Sequence, residues 1–186
     1  MKMLIYCTKS KKRLFFDKVK EIFTLGKVKS NNDLNGKIVA ECDYEVEEIQ
    51  NKLTNNNSHL ELFTNQLSEE DLFNQSCLSR YEMFNYLQKG FTNKSEPKGY
   101  AIHIKNLHIF DKPKELQLYS SMREENRAKE KAPQNMCNVY YDEGTKHYIL
   151  ISIRPEWLCK ILNGEKTIEC RKRVLKEMIS KCFITK

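Results

Sequence analysis

Apolar positions along the chain alternate with polar ones, or run together, in short segments that end at turn residues such as Asn35-Gly36. This pattern is typical of β-strands rather than long helices. β-Branched and aromatic residues are concentrated in the same segments. The sequence predicts strands over 3–8, 37–43, 100–110, 147–153 and the alternating segment 166–173.

Helical spacing of apolar residues is less frequent, but some helix starts are well marked. Ser68 precedes three acidic residues, and Ser79 with Glu82 forms a capping-box pattern. Pro155 suits the first turn of a helix whose apolar residues lie on one stripe. The predicted helices are 14–23, one that begins after Ser68, 80–89, one that Pro113 opens through Leu118, and 155–162, which ends at Asn163-Gly164. More strands than helices predict the α+β class.

Two polar segments interrupt these elements. Residues 50–67 are rich in Asn and Thr, which predicts a surface loop, and the strongly charged segment 120–132 predicts an exposed helix or a mobile loop. A chain of 186 residues, 40% of them hydrophobic, fits one domain with one core. We therefore expect a single domain over 1–186 with 50–67 and 120–132 as inserted or mobile segments.

Charge is distributed unevenly along the chain. The net charge is +7 overall, and residues 1–30 alone carry nine Lys or Arg against two acids. Residues 151–186 carry nine against four, whereas the middle of the chain is acidic. Basic ends that met in space would form a face for a polyanion. The alternative is that these lysines only solvate the surface.

The cysteines show no pattern of metal or redox chemistry. There are seven, spread along the chain, without a CxxC pair and without zinc-like Cys/His spacing. We therefore expect reduced core thiols, no metal and no cofactor, in a cytoplasmic protein. No apolar run approaches the ~20 residues that span a bilayer, and 3–8 is too short for a signal-peptide core, so neither export nor a membrane partner is expected.

Residues 150–173 carry the most specific motif of the chain. They read LISIRPEWLCKILNGEKTIECRKR: a strand, a helix begun by proline, then Gly-x-Lys-x-x-Glu-x-Arg. This resembles the opening signature of the ASCH family, here within the element 147–173. The resemblance implies a PUA-like small β-barrel with flanking helices. Further family-like segments are 3–9, 34–44, 99–110 and 131–141.

The order of these elements differs from the family, in which the signature comes first and the strand similar to 3–9 follows it. A circular permutation explains this order and would bring both basic ends to one barrel mouth. A truncated second copy is the alternative, because 181–186 faintly repeats the first strand.

The resemblance also implies RNA binding in a cleft near the signature. In an alternating strand Glu169 and Arg171 share a face, so the carboxylate can orient the guanidinium toward a phosphate or a base edge. The alternative for Glu169 and Arg171 is a structural ion pair. Trp157 could stack on a base, and the alternative for it is a position in the core. The predicted residues for RNA or single-stranded nucleic acid are Lys9, Lys11, Lys12, Arg13, Arg154, Trp157, Lys166, Glu169, Arg171 and Arg173.

Two other functions remain open. Some ASCH members resemble amidohydrolases of a modified cytidine, in which a Thr nucleophile follows a Lys by three residues; here Glu169 holds that position and Thr167 directly follows Lys166. These three residues are the catalytic candidates if the protein is an enzyme, whether amidohydrolase or ribonuclease. The third function is a phage or mobile-element accessory protein that inhibits a host nucleic-acid-binding machine, with an acidic segment, 41–48, that imitates a nucleic-acid backbone. Binding without catalysis is favoured.

Overall fold

The computed structural model describes residues 2–9, 34–53, 60–88, 99–121, 132–141 and 146–179. The predicted helix over 14–23 lies outside these ranges. Strands outnumber helices in the described part of the chain, which confirms the α+β class. The strands are β1 (Lys2–Cys7), β2 (Lys37–Leu53), β3 (Leu60–Phe63), β4 (Gly99–Glu115), β5 (Tyr119–Ser121), β6 (Met136–Tyr141), β7 (Lys146–Ile153) and β8 (Ile168–Arg171); the α-helices are α1 (Glu69–Ser76), α2 (Arg80–Gln88), α3 (Pro155–Leu162) and α4 (Lys176–Ile179).

The main sheet is mixed and open. Its strand order is β5-β6-β7-β1-β2-β4-β8, and β3 pairs with β2. β1 lies parallel to β7 and antiparallel to β2. The resemblance implies a closed barrel, and the described strands do not form one. The two end strands, β5 and β8, have only three and four residues, so each offers few backbone groups for a closing ladder.

The chain divides into two compact units, each built from separate segments. The first unit contains residues 1–44 and 105–164, and the second contains 45–104 and 165–186. β2 and β4 contribute residues to both units. The signature strand β8 belongs to the second unit and β1 to the first. The single domain and the circular permutation remain predictions.

The core of the first unit explains why β1 is apolar from Met3 to Cys7. Met3 through Cys7 are all buried, as expected for a strand with a neighbour on each side and side chains covered on both faces. The buried cluster there contains Leu4, Tyr6, Ile38, Phe110, Leu116, Tyr119, Val139 and Leu150.

The helix predicted from Pro113 is wrong. β4 continues through Pro113 to Glu115, and only a short 3-10 turn, Leu116–Leu118, follows it. Leu116 and Tyr119 are both buried in the first core, while Leu118 between them is exposed. Packing of these side chains against the sheet overrides the local preference of proline for a first helical turn.

The second core is formed by α1 and α2 together with residues of β2, β3, β4 and β8. Both helix starts follow the predicted caps: the Ser68 side chain accepts from the Asp71 N–H at 3.2 Å, and the Ser79 N–H donates to Glu82 Oε2 at 2.9 Å. The buried residues of this cluster are Ile49, Leu62, Leu72, Met83, Leu87, Ala101, Ile168 and Cys170.

The surface loop predicted over 50–67 is in part a strand pair. β2 continues to Leu53, and Gln50 is paired with Phe63 in β3. Burial of Ile49 and Leu62 in the second core accounts for this, because strand preference depends on packing more than on the Asn and Thr content of a segment.

None of the helices in the described residues is both long and apolar enough to cross a membrane.

The first core generates a stability prediction. Leu150 is fully buried, so Leu150→Ala should lower the free energy of unfolding by about 2–5 kcal/mol through lost transfer energy and a residual cavity. Leu118→Ala in the same unit is the matched control, because Leu118 is exposed. Urea unfolding followed by circular dichroism measures both. Equal midpoints for the two variants would contradict the assigned core.

Candidate functional site

The signature strand β8 presents its polar residues on one face and its apolar residues on the other. It pairs antiparallel with β4, with Arg171 opposite Tyr100 and Glu169 opposite Ile102. Residues directly opposite each other in such a pair share a face. The alternate residues Ile168 and Cys170 belong to the second core. The predicted alternation is therefore confirmed over Ile168–Arg171, whereas residues 166–167 and 172–173 of the predicted strand lie outside β8. The core fixes which face Glu169 and Arg171 occupy.

Glu169 is shared between two cations. Its Oε1 lies 3.0 Å from Arg171 Nη2, and its Oε2 lies 3.3 Å from Lys166 Nζ. The side chains of Glu169 and Arg171 are only 11% and 14% exposed. The contact of Glu169 with Arg171 is the pairing that strand alternation predicts. In this sheltered place a charge-assisted hydrogen bond is stronger and more directional than at the open surface.

Lys166 is placed differently from the expectation that it binds nucleic acid. Its side chain is 2% exposed, and Nζ donates to the carbonyl oxygen of Ser76 at 2.6 Å. Ser76 is the last residue of α1, where unsatisfied carbonyls and the negative end of the helix dipole favour a cation. The ammonium is therefore held inside the second unit, where it fastens Glu169 to the end of α1.

Thr167 faces away from this buried cluster. It is exposed, its N–H donates to the Gln75 carbonyl at 3.0 Å, and its hydroxyl lies 3.3 Å from Gln75 Oε1. The Thr167 carbonyl accepts from the Ile104 N–H at 2.8 Å. Thr167 thus anchors the entry to β8. Its hydroxyl is exposed, whereas the Lys166 ammonium is buried against the Ser76 carbonyl and the Glu169 carboxylate.

The other predicted binding residues fall into separate groups. In the first unit Lys9 and Arg154 are exposed, and Trp157 is half-buried with Lys160 Nζ 5.2 Å from its ring centroid. In the second unit Arg173 is exposed. One surface that combines both groups remains a prediction. Lys11, Lys12 and Arg13 lie outside the described residues.

The structure adds Tyr86, which the sequence did not single out for function, and places Lys172 of the basic run beside it. Tyr86 in α2 is partly exposed, and Lys172 Nζ lies 5.3 Å from its ring centroid. Lys172 directly follows β8, while Tyr86 lies far away in sequence, so no spacing rule connects them. The basic run 171–173 beside the signature was the only available signal for Lys172.

Several acidic residues of the segment 41–48 are engaged within their own unit. In the first unit, Asp43 Oδ2 accepts from the Asn106 amide at 2.9 Å. In the second, Glu47 is buried, with Oε1 2.5 Å from His103 Nε2 and Oε2 accepting from the Gln66 N–H at 3.0 Å. Glu45 and Glu48 of the same segment are exposed, so imitation of a nucleic-acid backbone by 41–48 stays a prediction.

The buried cysteines are neutral thiols. Burial raises the pKa of Cys7, Cys42 and Cys170 to about 12 in each case. A thiol with such a pKa is protonated near neutral pH and is neither a nucleophile nor a metal ligand. The expectation of core thiols is confirmed for these three. Within the described ranges the cysteines are free of disulfides, and His, Cys, Asp and Glu form no group of three or more that could hold a metal ion.

The buried charge cluster generates a second stability prediction. Lys166→Met removes the ammonium while keeping a similar side-chain length, so Glu169 loses one partner and the Ser76 carbonyl loses its donor. We expect a loss of about 3 kcal/mol in the free energy of unfolding, near the lower end for a broken buried pair because Arg171 still contacts Glu169.

Lys2→Met is the matched control for this change. Lys2 Nζ lies 3.5 Å from Glu41 Oε1, but the Lys2 side chain is exposed, so its loss should cost no more than about 0.5 kcal/mol. Urea denaturation measures both variants. The buried cluster would have no special role in stability if Lys166→Met and Lys2→Met unfolded at the same urea concentration.

The site consists of a guanidinium held by a carboxylate, which is in turn held by a buried ammonium. Its polar residues are carried by β8 and by the segment that leads into it. Comparisons of the chain with models of known protein families, with curated proteins and with solved structures found no match, so the resemblance to the ASCH family rests on the sequence motif alone.

Proposed function

We propose that this protein binds RNA or another single-stranded nucleic acid at the surface where β8 ends, with Arg171 as its central contact. The observation that carries the proposal is the Glu169 carboxylate shared between Arg171 and the buried Lys166. That arrangement fixes a planar cation in one orientation before any ligand arrives. Preorganisation of this kind lowers the entropy cost of binding.

The guanidinium suits phosphate and base edges better than an ammonium would. It offers several N–H donors in one rigid plane, and the contact of Nη2 with Glu169 Oε1 at 3.0 Å fixes the direction of that plane. A phosphate or the edge of a guanine can take two such donors at once. The Arg171 side chain is 14% exposed, so a ligand can reach part of it.

The charge around β8 favours an anionic ligand. Residues 166–173 carry four basic side chains and one acidic one, a net charge of +3. Arg173 is exposed and Lys172 half-buried directly beyond Arg171. Consecutive cations at the end of a strand match the closely spaced phosphates of a nucleic-acid backbone.

Binding accounts for this geometry better than catalysis does. The catalytic candidates Lys166 and Thr167 point to different environments, one buried and one exposed. Glu169 occupies the position of the family's nucleophile and serves instead as a bridge between two cations. The ASCH resemblance of the signature therefore supports the RNA-binding role rather than the amidohydrolase role.

Arg171→Lys tests the geometry of the proposed contact. The charge is kept but the planar fork is lost, so affinity for a labelled oligouridylate should fall about tenfold. Fluorescence anisotropy measures binding, and thermal unfolding verifies that the fold is intact. Arg80→Lys is the matched control, because Arg80 also pairs with a carboxylate, Glu69, in the same unit. Unchanged affinity in a folded Arg171→Lys variant would assign Arg171 a purely structural role.

Salt dependence tests the phosphate contacts. Counterion release makes the logarithm of the binding constant fall with the logarithm of salt concentration, by about 0.7 per phosphate contacted on a single strand. We expect a slope of this kind for the protein and a shallower slope, by about one phosphate, for Arg173→Gln. Anisotropy titrations over a range of potassium chloride concentrations measure it. A flat dependence would argue against a polyanionic ligand.

A further inference from the structure

Tyr86 provides an exposed aromatic surface beside the basic end of β8. Its side chain lies on α2, and the residue is 38% exposed. Lys172 Nζ lies 5.3 Å from the ring centroid, within the range in which a ring face attracts a cation. An aromatic ring and cations at one place are the two elements that single-strand binding sites combine, stacking for the base and positive charge for the backbone.

The polar end of Tyr86 is tied to β8. Burial raises the pKa of the Tyr86 hydroxyl, while the charge of Arg171 and a hydrogen bond with the backbone of Lys172 act in the opposite direction. The hydroxyl is therefore neutral and close to both residues. A tyrosine anchored at its tip keeps its ring in a fixed position, which reduces the entropy cost of a contact with that ring.

The packing of α2 explains how the ring reaches this place. Gly99, the first residue of β4, has no Cβ, and the Leu87 side chain occupies the space where one would lie. A Cβ at Gly99 would also lie 3.5 Å from the Arg171 carbonyl oxygen. The absence of a side chain at Gly99 thus lets α2 approach the end of β8, and Tyr86 is the residue next to Leu87 on that helix.

A second tyrosine, Tyr100, is the cross-strand neighbour of Arg171. Tyr100 in β4 is opposite Arg171 in the strand pair and is half-buried on the same face. Arg171 is thus close to an aromatic residue from β4 and to one from α2. Guanidinium planes and aromatic rings are the surfaces on which splayed bases stack in RNA recognition.

We propose that Tyr86 is a stacking platform for one unpaired base, and that Arg171 and Lys172 bind the backbone or base edge beside it. This inference rests on the proposed function and narrows it: the ligand must offer an unstacked base, so single strands are bound in preference to a regular duplex. Since every base has a π-face, this contact adds affinity with little sequence preference.

The experiment compares an oligouridylate of about ten nucleotides with an abasic backbone of the same length. The wild-type protein should bind the oligouridylate about tenfold more tightly than the abasic backbone. Tyr86→Leu should lose about tenfold for the oligouridylate and bind the abasic backbone as the wild type does. Tyr86→Phe keeps the ring and should retain affinity for the oligouridylate.

Tyr81→Leu is the control for an exposed tyrosine of α2 outside the proposed contact. Tyr81 is 78% exposed, so its replacement should leave both affinities unchanged. Wild-type protein that binds both probes equally tightly, with a normal salt slope, overturns the stacking inference and leaves the proposed function standing. Wild-type protein that binds neither probe overturns both. The comparison of probes on the wild type needs no variant, so it decides between these outcomes even if Tyr86→Leu misfolds.

Discussion

An ammonium group that is buried away from water needs oxygen partners within the protein. In the second unit, the contacts of Lys166 with such partners connect α1 with β8. The Ser76 carbonyl and the Glu169 carboxylate supply these partners from the end of α1 and from β8. A buried charge without partners costs several kcal/mol, so α1 and β8 must both stay within reach of the Lys166 ammonium. The orientation of Arg171 follows, since its own contact is to the second oxygen of the same carboxylate.

This chain of contacts separates the residues that hold the site from those that can meet a ligand. Lys166 and Glu169 act through Arg171, and because both are buried, salt screens their contact much less than a surface ion pair. Arg173 and Tyr86 are exposed, and Arg171 and Lys172 are half-buried. The sequence left two interpretations of this motif open, a structural ion pair and a ligand contact. The motif contains the ion pair, and Arg171 within it is also the candidate ligand contact.

The sequence predicted those parts of the fold that local chemistry determines. The caps at Ser68 and Ser79, the helix that follows Pro155 and the alternation around Glu169 are all properties of neighbouring residues, and the structure has them. Features that depend on distant packing were missed. The burial of Lys166 depends on Ser76, ninety positions away along the chain, and the extended course of β4 through Pro113 depends on the core that receives Leu116. The contact of Lys172 with Tyr86 is of the same kind, because it joins a strand end to a helix that only tertiary packing brings together.

The parallel pairing of β1 with β7 has a consequence for synthesis on the ribosome. Lys2 is in register with Tyr148, and Cys7 with Ile153, so the two halves of this pair are made far apart in time. β1 can pair early with β2, but its other edge has no neighbour until residue 153 has left the exit tunnel. High contact order of this kind slows folding. Until that point the nascent chain carries an apolar strand, Met3 to Cys7, with one unpaired edge, which is the kind of surface that chaperones cover.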